Sequence, residues 1–275
     1  MIDKAEQPSK LGHLHPNSQI IYEVYDLMRQ LGFSVALGPE VETEFYNFDA
    51  LNIPPDHPAR DMQDTFWLKA PPGLPGRAGP SDQADRPDDR LLRTHTSPVQ
   101  IRYMQEHQPP FRIIAPGRVF RNEATDATHE AQFHQVEGLM VDRDVSLSHL
   151  KGTLEFLLKG LFGDDVRLRL RPSFFSFVEP GLEVDISCFR CGGRARPDDS
   201  VGRARHCILC KQTGWIEVLG AGLVHPNVLS AGGLDPNEWR GFAFGVGVDR
   251  LSMLRYGVDD VRLFYAGDIR FINQF

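Results

Sequence analysis

Ile20, Ile21, Val24, Leu27, Met28 and Leu31 recur at three- and four-residue intervals, the spacing of one face of a helix. Asn17 or Ser18 can cap that helix, and Gly32 stops it. A second stripe of Leu150, Leu154, Leu157, Leu158 and Leu161 predicts a helix from about Leu147 to Leu161, with Gly163 beyond its end. Elsewhere the pattern changes to alternation. FRIIAPGRVFRNE and QFHQVEGLMV, within residues 111–141, read as two strands around the polar turn ATDATHEA. Val166, Leu168 and Leu170 alternate with Arg167, Arg169 and Arg171, as in a half-buried strand. GFAFGVGV reads as a strand that runs straight into a helix, DRLSMLRYG. Adjacent strands with helices set apart from them predict an α+β fold with an antiparallel sheet.

The segment from Ala70 to Arg90, APPGLPGRAGPSDQADRPDDR, has almost nothing to bury and is expected to be a mobile surface loop. The apolar segments FWL and LLRTHTS flank it as the arms of a long hairpin would. Residues 1–14 are polar and expected to form an N-terminal arm, leaving 15–275 as one domain. Lys and Arg number 30 against 37 Asp and Glu, a net charge of −7, which excludes a basic nucleic-acid coat. No apolar run reaches the length of a membrane span, and MIDKAEQPSK lacks the apolar stretch of an export signal. A cytoplasmic location is therefore expected, where thiols stay reduced. The four cysteines stand as CFRC and CILC at 188–210, a C-x2-C-x15-C-x2-C spacing. That spacing fits a closed tetrahedral zinc site on Cys188, Cys191, Cys207 and Cys210, a small zinc-ribbon-like insertion. Two disulfides, or loops without metal, are the alternatives. The enclosed GGRARPDDSVGRARH carries four arginines and two aspartates and reads as a solvated segment.

Side chains on a strand alternate between its faces. Arg121 and Glu123 then share a face of one hairpin strand, and Phe133, Gln135 and Glu137 a face of the other. His95 and Ser97, Phe175, Phe177 and Glu179, and Trp215, Glu217 and Leu219 are also two apart, as are Ala243, Gly245 and Gly247. The last set leaves a strand face almost without bulk, where something flat can approach the backbone. Taken singly, an Arg–Glu pair is usually a solvated ion pair and a Phe pair is usually core. Together they make a polar wall that calls for a polar ligand.

The order of these segments resembles a known family. GFSVALGPEVE (32–42), with Pro39, is similar to motif 1 of the class II aminoacyl-tRNA synthetases. FRNE (120–123), the loop with His129, and Phe133 are similar to motif 2. GVGVDR (245–250) followed by LSMLRYG is similar to motif 3, except that Asp249 stands where that motif usually carries Glu. RTHTSP, FHQVEG, FVEPG, GAGLVHPNVL and RFINQF resemble the catalytic core of the bacterial phenylalanyl-tRNA synthetase α-subunit family from about His15 to Phe275.

The resemblance implies a class II sheet flanked by helices and ATP-dependent activation of phenylalanine, followed by transfer to the 3′-terminal ribose of tRNA-Phe. It implies that Arg121 bridges the amino-acid carboxylate and the α-phosphate, since a planar guanidinium suits two anionic oxygens. Glu123 would accept from the adenine amino group. Phe133 and Arg250 would cover the two faces of adenine, Arg250 also meeting the γ-phosphate. His129 would contact phosphate. Glu179, and with it Glu217, would hold Mg2+. Phe175 and Phe177 would meet the substrate ring above a floor of Ala243 and Gly245. His95, Ser97, Gln135 and Glu137 would hold the ammonium and carboxylate. The family pairs this subunit with a larger β subunit in an α2β2 heterotetramer, so little aminoacylation is expected of the chain alone. Two other readings remain: a class II synthetase for another amino acid, and a non-catalytic paralogue or zinc-ribbon RNA-binding protein.

Overall fold

The computed structural model describes residues 12–60, 65–69, 90–192, 207 and 209–275. Residues 1–11 of the expected arm, 70–89 of the expected loop and 193–206 of the cysteine insertion lie outside the described residues. The first apolar stripe forms α1 (Pro16–Gln30), with the His15 ring accepting the Asn17 N–H at 3.2 Å as its cap. The chain then forms β1 (Ser34–Val35), β2 (Val41–Thr43) and a short α2 (Glu44–Asn47). β3 (Arg90–Leu92) pairs with β2, and Trp67 bridges to Leu91, so the segments on either side of residues 70–89 do meet. Next come α3 (Ser97–Glu106), β4 (Phe111–Phe120) and β5 (Gln132–Asp142). The leucine stripe becomes α4 (Leu147–Phe162), opened by a capping box between Ser146 and His149. All five of its predicted leucines are buried, each stabilising by about 1.5–3 kcal/mol relative to exposure. β6 (Leu168–Phe175), β7 (Val178–Ser187), β8 (Trp215–Val224), α5 (Pro226–Ala231), β9 (Arg240–Gly247) and α6 (Val248–Tyr256) follow. A 3-10 turn (Val261–Phe264) and α7 (Ile269–Ile272) end the chain.

Seven strands make the main sheet in the order β1-β4-β5-β9-β8-β7-β6. Every pairing is antiparallel except β1 on β4, a parallel edge that the alternation pattern did not announce. α1, α4 and α6 cover one face, where Val24, Met28, Leu154 and Leu158 meet Val136, Val184 and Phe244. α3, α5 and the turn Asp49–Leu51 cover the other, where Val99, Ile101 and Val228 meet Ile113, Leu139 and Ala243. Gly138 permits this packing: a Cβ there would stand 2.2 Å from the Phe244 ring on the neighbouring strand. Among the described residues no helix is long and apolar enough to cross a membrane.

Candidate active site

Five strands, β5 to β9, and the helices α3 and α5 converge on a cavity of about 480 Å³, within the usual range of small-molecule sites, about 300–1,000 Å³. Its apolar wall comprises Phe175, Phe177, Val178, Val228, Ala243 and the backbone of β8. Its polar end is formed by His95, Ser97, Gln100, Arg121, Gln135 and Glu137. The Phe175 and Phe177 rings lie 5.9 Å apart at 26°. Gly245 lets the floor approach the polar end, since a Cβ there would come within 3.1 Å of the Glu137 Cγ and 3.3 Å of the Gln135 Nε2.

Glu137 anchors the polar end and is only 4% exposed. It accepts hydrogen bonds from the Ser97 hydroxyl at 2.6 Å, the Gln100 amide at 2.6 Å and the Thr96 N–H at 3.1 Å. Burial pushes its carboxyl above the usual range; the three donors and the Arg121 charge pull it back. Burial, aided by the Arg121 charge, pushes the His95 imidazole down to about 3, against an opposing pull from the Asn47 backbone, so the ring is neutral. Among the described residues, both ring nitrogens of His95 and the Oε1 of Gln135 are buried without a hydrogen bond of good geometry. Leaving buried polar atoms unpaired costs about 1–3 kcal/mol each. A ligand with its own donors and acceptors removes that penalty, and an amino acid carries both.

Arg121 stands at the mouth of the cavity. Its Nε donates to the Thr94 carbonyl at 3.2 Å, its guanidinium lies 5.2 Å over the Phe133 ring, and Glu123 is 4.0 Å away. Arg121 and Glu123 lie beyond the end of β4 rather than on one strand face as predicted. The hairpin still pairs there, since the Arg121 N–H donates to the Ala131 carbonyl at 2.9 Å. Phe133, Glu123, His129 and Arg250 do not line the cavity; Phe133 and Glu123 stand beside Arg121 at its mouth. His129 is held in the β4–β5 loop by Asp126, at 3.1 Å. Arg250, in the first turn of α6, faces Glu217, which does line the cavity, and burial lowers its pKa against that charge.

The acidic residues divide differently from the sequence expectation. Phe175 ends β6 and Val178 begins β7, with Phe175 and Val178 paired. That tight turn interrupts the alternation on which Phe175, Phe177 and Glu179 shared a face. Both rings reach the cavity, whereas Glu179 turns outward, 75% exposed, with its carboxylate 3.5 Å from the His225 ring. His95 and Ser97 also meet the cavity by another route than strand alternation, because Ser97 opens α3. A register shift on β8 leaves Val218 as an extra residue between Glu217 and Leu219, and all three line the cavity. Arg171 holds the nearby carboxylates in place, reaching Glu183 at 2.8 Å, Asp185 at 2.6 Å and Glu217 at 3.1 Å. Burial alone would raise the Asp185 carboxyl; hydrogen bonds from Arg171 and Arg169 overcome it and hold the group low.

Gln100, Glu183 and Val178 were not singled out from the sequence. Gln100 was within reach, since it lies one helical turn after Ser97 and so on the same face. Glu183 carries no local signal that separates it from an ordinary strand carboxylate.

The four cysteine Sγ atoms lie within 4.8 Å of one another. Cys188 and Cys207, and Cys191 and Cys210, are 3.7 Å apart and unbonded. A disulfide is about 2.05 Å, whereas sulfurs around tetrahedral zinc at about 2.3 Å stand about 3.8 Å apart. The cluster therefore fits zinc. Burial pushes the Cys188 thiol up to about 12, while backbone and thiol hydrogen bonds bring Cys207 down to about 7. The cluster closes the ends of β7 and β8, the strands that carry Glu183 and Glu217.

The sequence matches the family described as tRNA synthetases class II core domain (F) over residues 2–275. It is 52% identical over 270 residues to the phenylalanine–tRNA ligase alpha subunit of Bacillus licheniformis, a match covering 98% of this chain and 70% of that one. To the corresponding subunit of Enterococcus faecalis it is 50% identical over 267 residues, covering 96% of this chain and 68% of that one. Its fold is similar to the crystal structure of pyrrolysyl-tRNA synthetase from Desulfitobacterium hafniense, with a TM-score of 0.61 at 17% identity, covering 94% of this chain and 75% of that one. A sheet with motif-bearing strands at its centre, an amino-acid-sized polar end and a match along nearly the whole sequence agree: this chain belongs to the class II aminoacyl-tRNA synthetases, in the family of their class II core domain (F).

Proposed function

We propose that this chain is the catalytic α subunit of a phenylalanine–tRNA ligase, activating phenylalanine with ATP and passing it to the terminal ribose of tRNA-Phe. One observation carries the reading: a cavity with an aromatic wall and a glycine floor ends in a buried carboxylate, beside a guanidinium at its mouth. Phenylalanine fits with its ring between Phe175, Phe177 and Ala243. Edge-to-face contacts there contribute about 0.5–1.5 kcal/mol per aromatic pair beyond burial. Its ammonium is received by Glu137 and Gln135, with Ser97 and the neutral His95 completing that end.

In the activation step the amino-acid carboxylate oxygen bonds to the α-phosphorus of ATP, and the bond to the bridging oxygen breaks to release pyrophosphate. The chain supplies no nucleophile. Arg121 holds both anions together and spreads the charge that develops on the phosphoryl oxygens. Phe133 and Arg250 take the faces of adenine, Glu123 its amino group, and His129 and Arg250 the outer phosphates. In the second step the 2′-hydroxyl of the terminal ribose attacks the acyl carbon and AMP leaves. Mg2+, if bound, would supply charge neutralisation at the phosphates. Glu217, at the cavity and 61% exposed, suits that place. Glu179 would hold a cation only at the outer surface. Zn2+ on the four cysteines has a structural role, because a closed four-thiolate set leaves no open position. A β subunit and an α2β2 assembly in the cytoplasm complete the proposal.

Phenylalanine-dependent pyrophosphate exchange, with and without the β subunit and across the other amino acids, tests it. Exchange that favours phenylalanine supports the reading, and exchange with a different amino acid alone replaces it. Ala243→Gly is expected to admit larger para-substituted phenylalanines to that exchange.

A further inference from the structure

Asp249 is only 4% exposed, yet among the described residues no cation is hydrogen-bonded to it. Its oxygens are satisfied by three neutral donors from three distant parts of the chain. Oδ1 accepts from the Asn17 amide at the start of α1, at 2.9 Å, and from the Tyr265 hydroxyl, at 2.5 Å. Oδ2 accepts from the His134 N–H on β5, at 2.7 Å. Burial lowers the His134 imidazole despite Asp249, so the ring adds no charge. Burial and the Asp249 carboxylate push the Tyr265 phenol far up, so its hydroxyl stays a donor.

The places joined are those that carry the residues proposed to hold ATP. His134 stands between Phe133 and Gln135. Asp249 precedes Arg250 in the first turn of α6. Tyr265 follows the 3-10 turn whose Val261 N–H donates to the Ala127 carbonyl in the β4–β5 loop, at 2.9 Å. We propose that Asp249 and Tyr265 form a clasp that sets Arg250, Phe133 and the β4–β5 loop at the separation ATP requires. Asp249 is thus a positioning residue that acts through Arg250 and β5. This rests on the reading of those residues as the ATP site.

The test compares Tyr265→Phe with Leu154→Ala in the full chain assembled with its β subunit. Leu154 is a buried residue of α4 with no place among the residues proposed to hold ATP, and its truncation lowers stability without touching the clasp. Calorimetry reads the affinities for a non-hydrolysable ATP analogue and for phenylalanine separately. Removing one hydrogen bond to a buried charge is expected to weaken the ATP analogue about tenfold and to leave phenylalanine within twofold. Leu154→Ala should alter neither. Equal ATP-to-phenylalanine affinity ratios in the two variants overturn the positioning role. Amide exchange over residues 123–136 is read in parallel and needs no nucleotide. It should quicken in Tyr265→Phe and not in Leu154→Ala; unchanged exchange overturns the clasp itself. A wild-type chain that binds no ATP analogue, yet shows the exchange difference, retains the clasp and refutes the nucleotide reading instead.

Discussion

To receive a substrate ammonium as proposed, Glu137 must be ionised in a place whose burial favours its protonation. Burial raises its pKa, and the Ser97 hydroxyl, the Gln100 amide and the Thr96 N–H oppose that rise. Gln100→Ala removes a donor at 2.6 Å, so the carboxyl pKa rises further. A protonated Glu137 no longer attracts the substrate ammonium, and the acid limit of phenylalanine binding therefore moves to higher pH. Near neutrality KM for phenylalanine is expected to increase about tenfold, with KM for ATP little changed. Pyrophosphate exchange from pH 6 to 8.5 reads both constants, and an unmoved acid limit would show that Gln100 does not tune Glu137. Gly245→Ala acts on the same carboxylate by sterics. Its Cβ would lie 3.1 Å from Glu137 and 3.3 Å from Gln135, closer than relaxed packing allows. KM for phenylalanine should rise, and the larger para-substituted substrates should lose most.

Whole elements turn on what their ends are tied to. The four cysteines lie between the end of β7 and the start of β8, so zinc there would fix the register of the strands carrying Glu183 and Glu217. Elemental analysis of the reduced protein should find about one zinc per chain, and Cys207→Ser should lose it, lower the thermal midpoint and weaken magnesium-dependent exchange. A zinc-free protein with full stability would leave the cluster no structural role. The elements themselves were readable from local pattern. α1, α4, the β4–β5 hairpin and the β9–α6 junction follow from apolar spacing and from Gly32 and Gly163. Strand alternation failed where the backbone leaves a strand: at the turn between Phe175 and Val178, where Glu179 swings outward, and at Ser97, which opens a helix. The Asp249–Tyr265 contact had no sequence signal, because a hydrogen bond across a fold depends on tertiary geometry rather than on spacing.

For the molecule as a whole, the buried site makes stability depend on pH in two opposing ways. His95 is neutral in the fold down to about 3, whereas an unfolded histidine takes up a proton near 6.5. Between those values the unfolded chain binds the extra proton, so acid favours unfolding. The contribution is complete above pH 6.5 and is lost as pH falls toward 3. Glu137 works the other way. Its folded pKa is raised, so the native state holds the extra proton above the ordinary carboxylate range. That contribution is complete below about 4.3 and is lost as pH rises through the folded value. From pH 7 to 5 the histidine effect should prevail, because burial takes the His95 imidazole down to about 3, whereas three donors and Arg121 offset part of the rise at Glu137. The urea midpoint of the wild-type chain is therefore expected to fall over that range. In His95→Gln, which keeps a neutral polar group in place of the ring, the fall should be shallower. Parallel midpoint curves for the two proteins would locate the acid sensitivity outside the cavity and overturn the claim that burial enforces a neutral imidazole there.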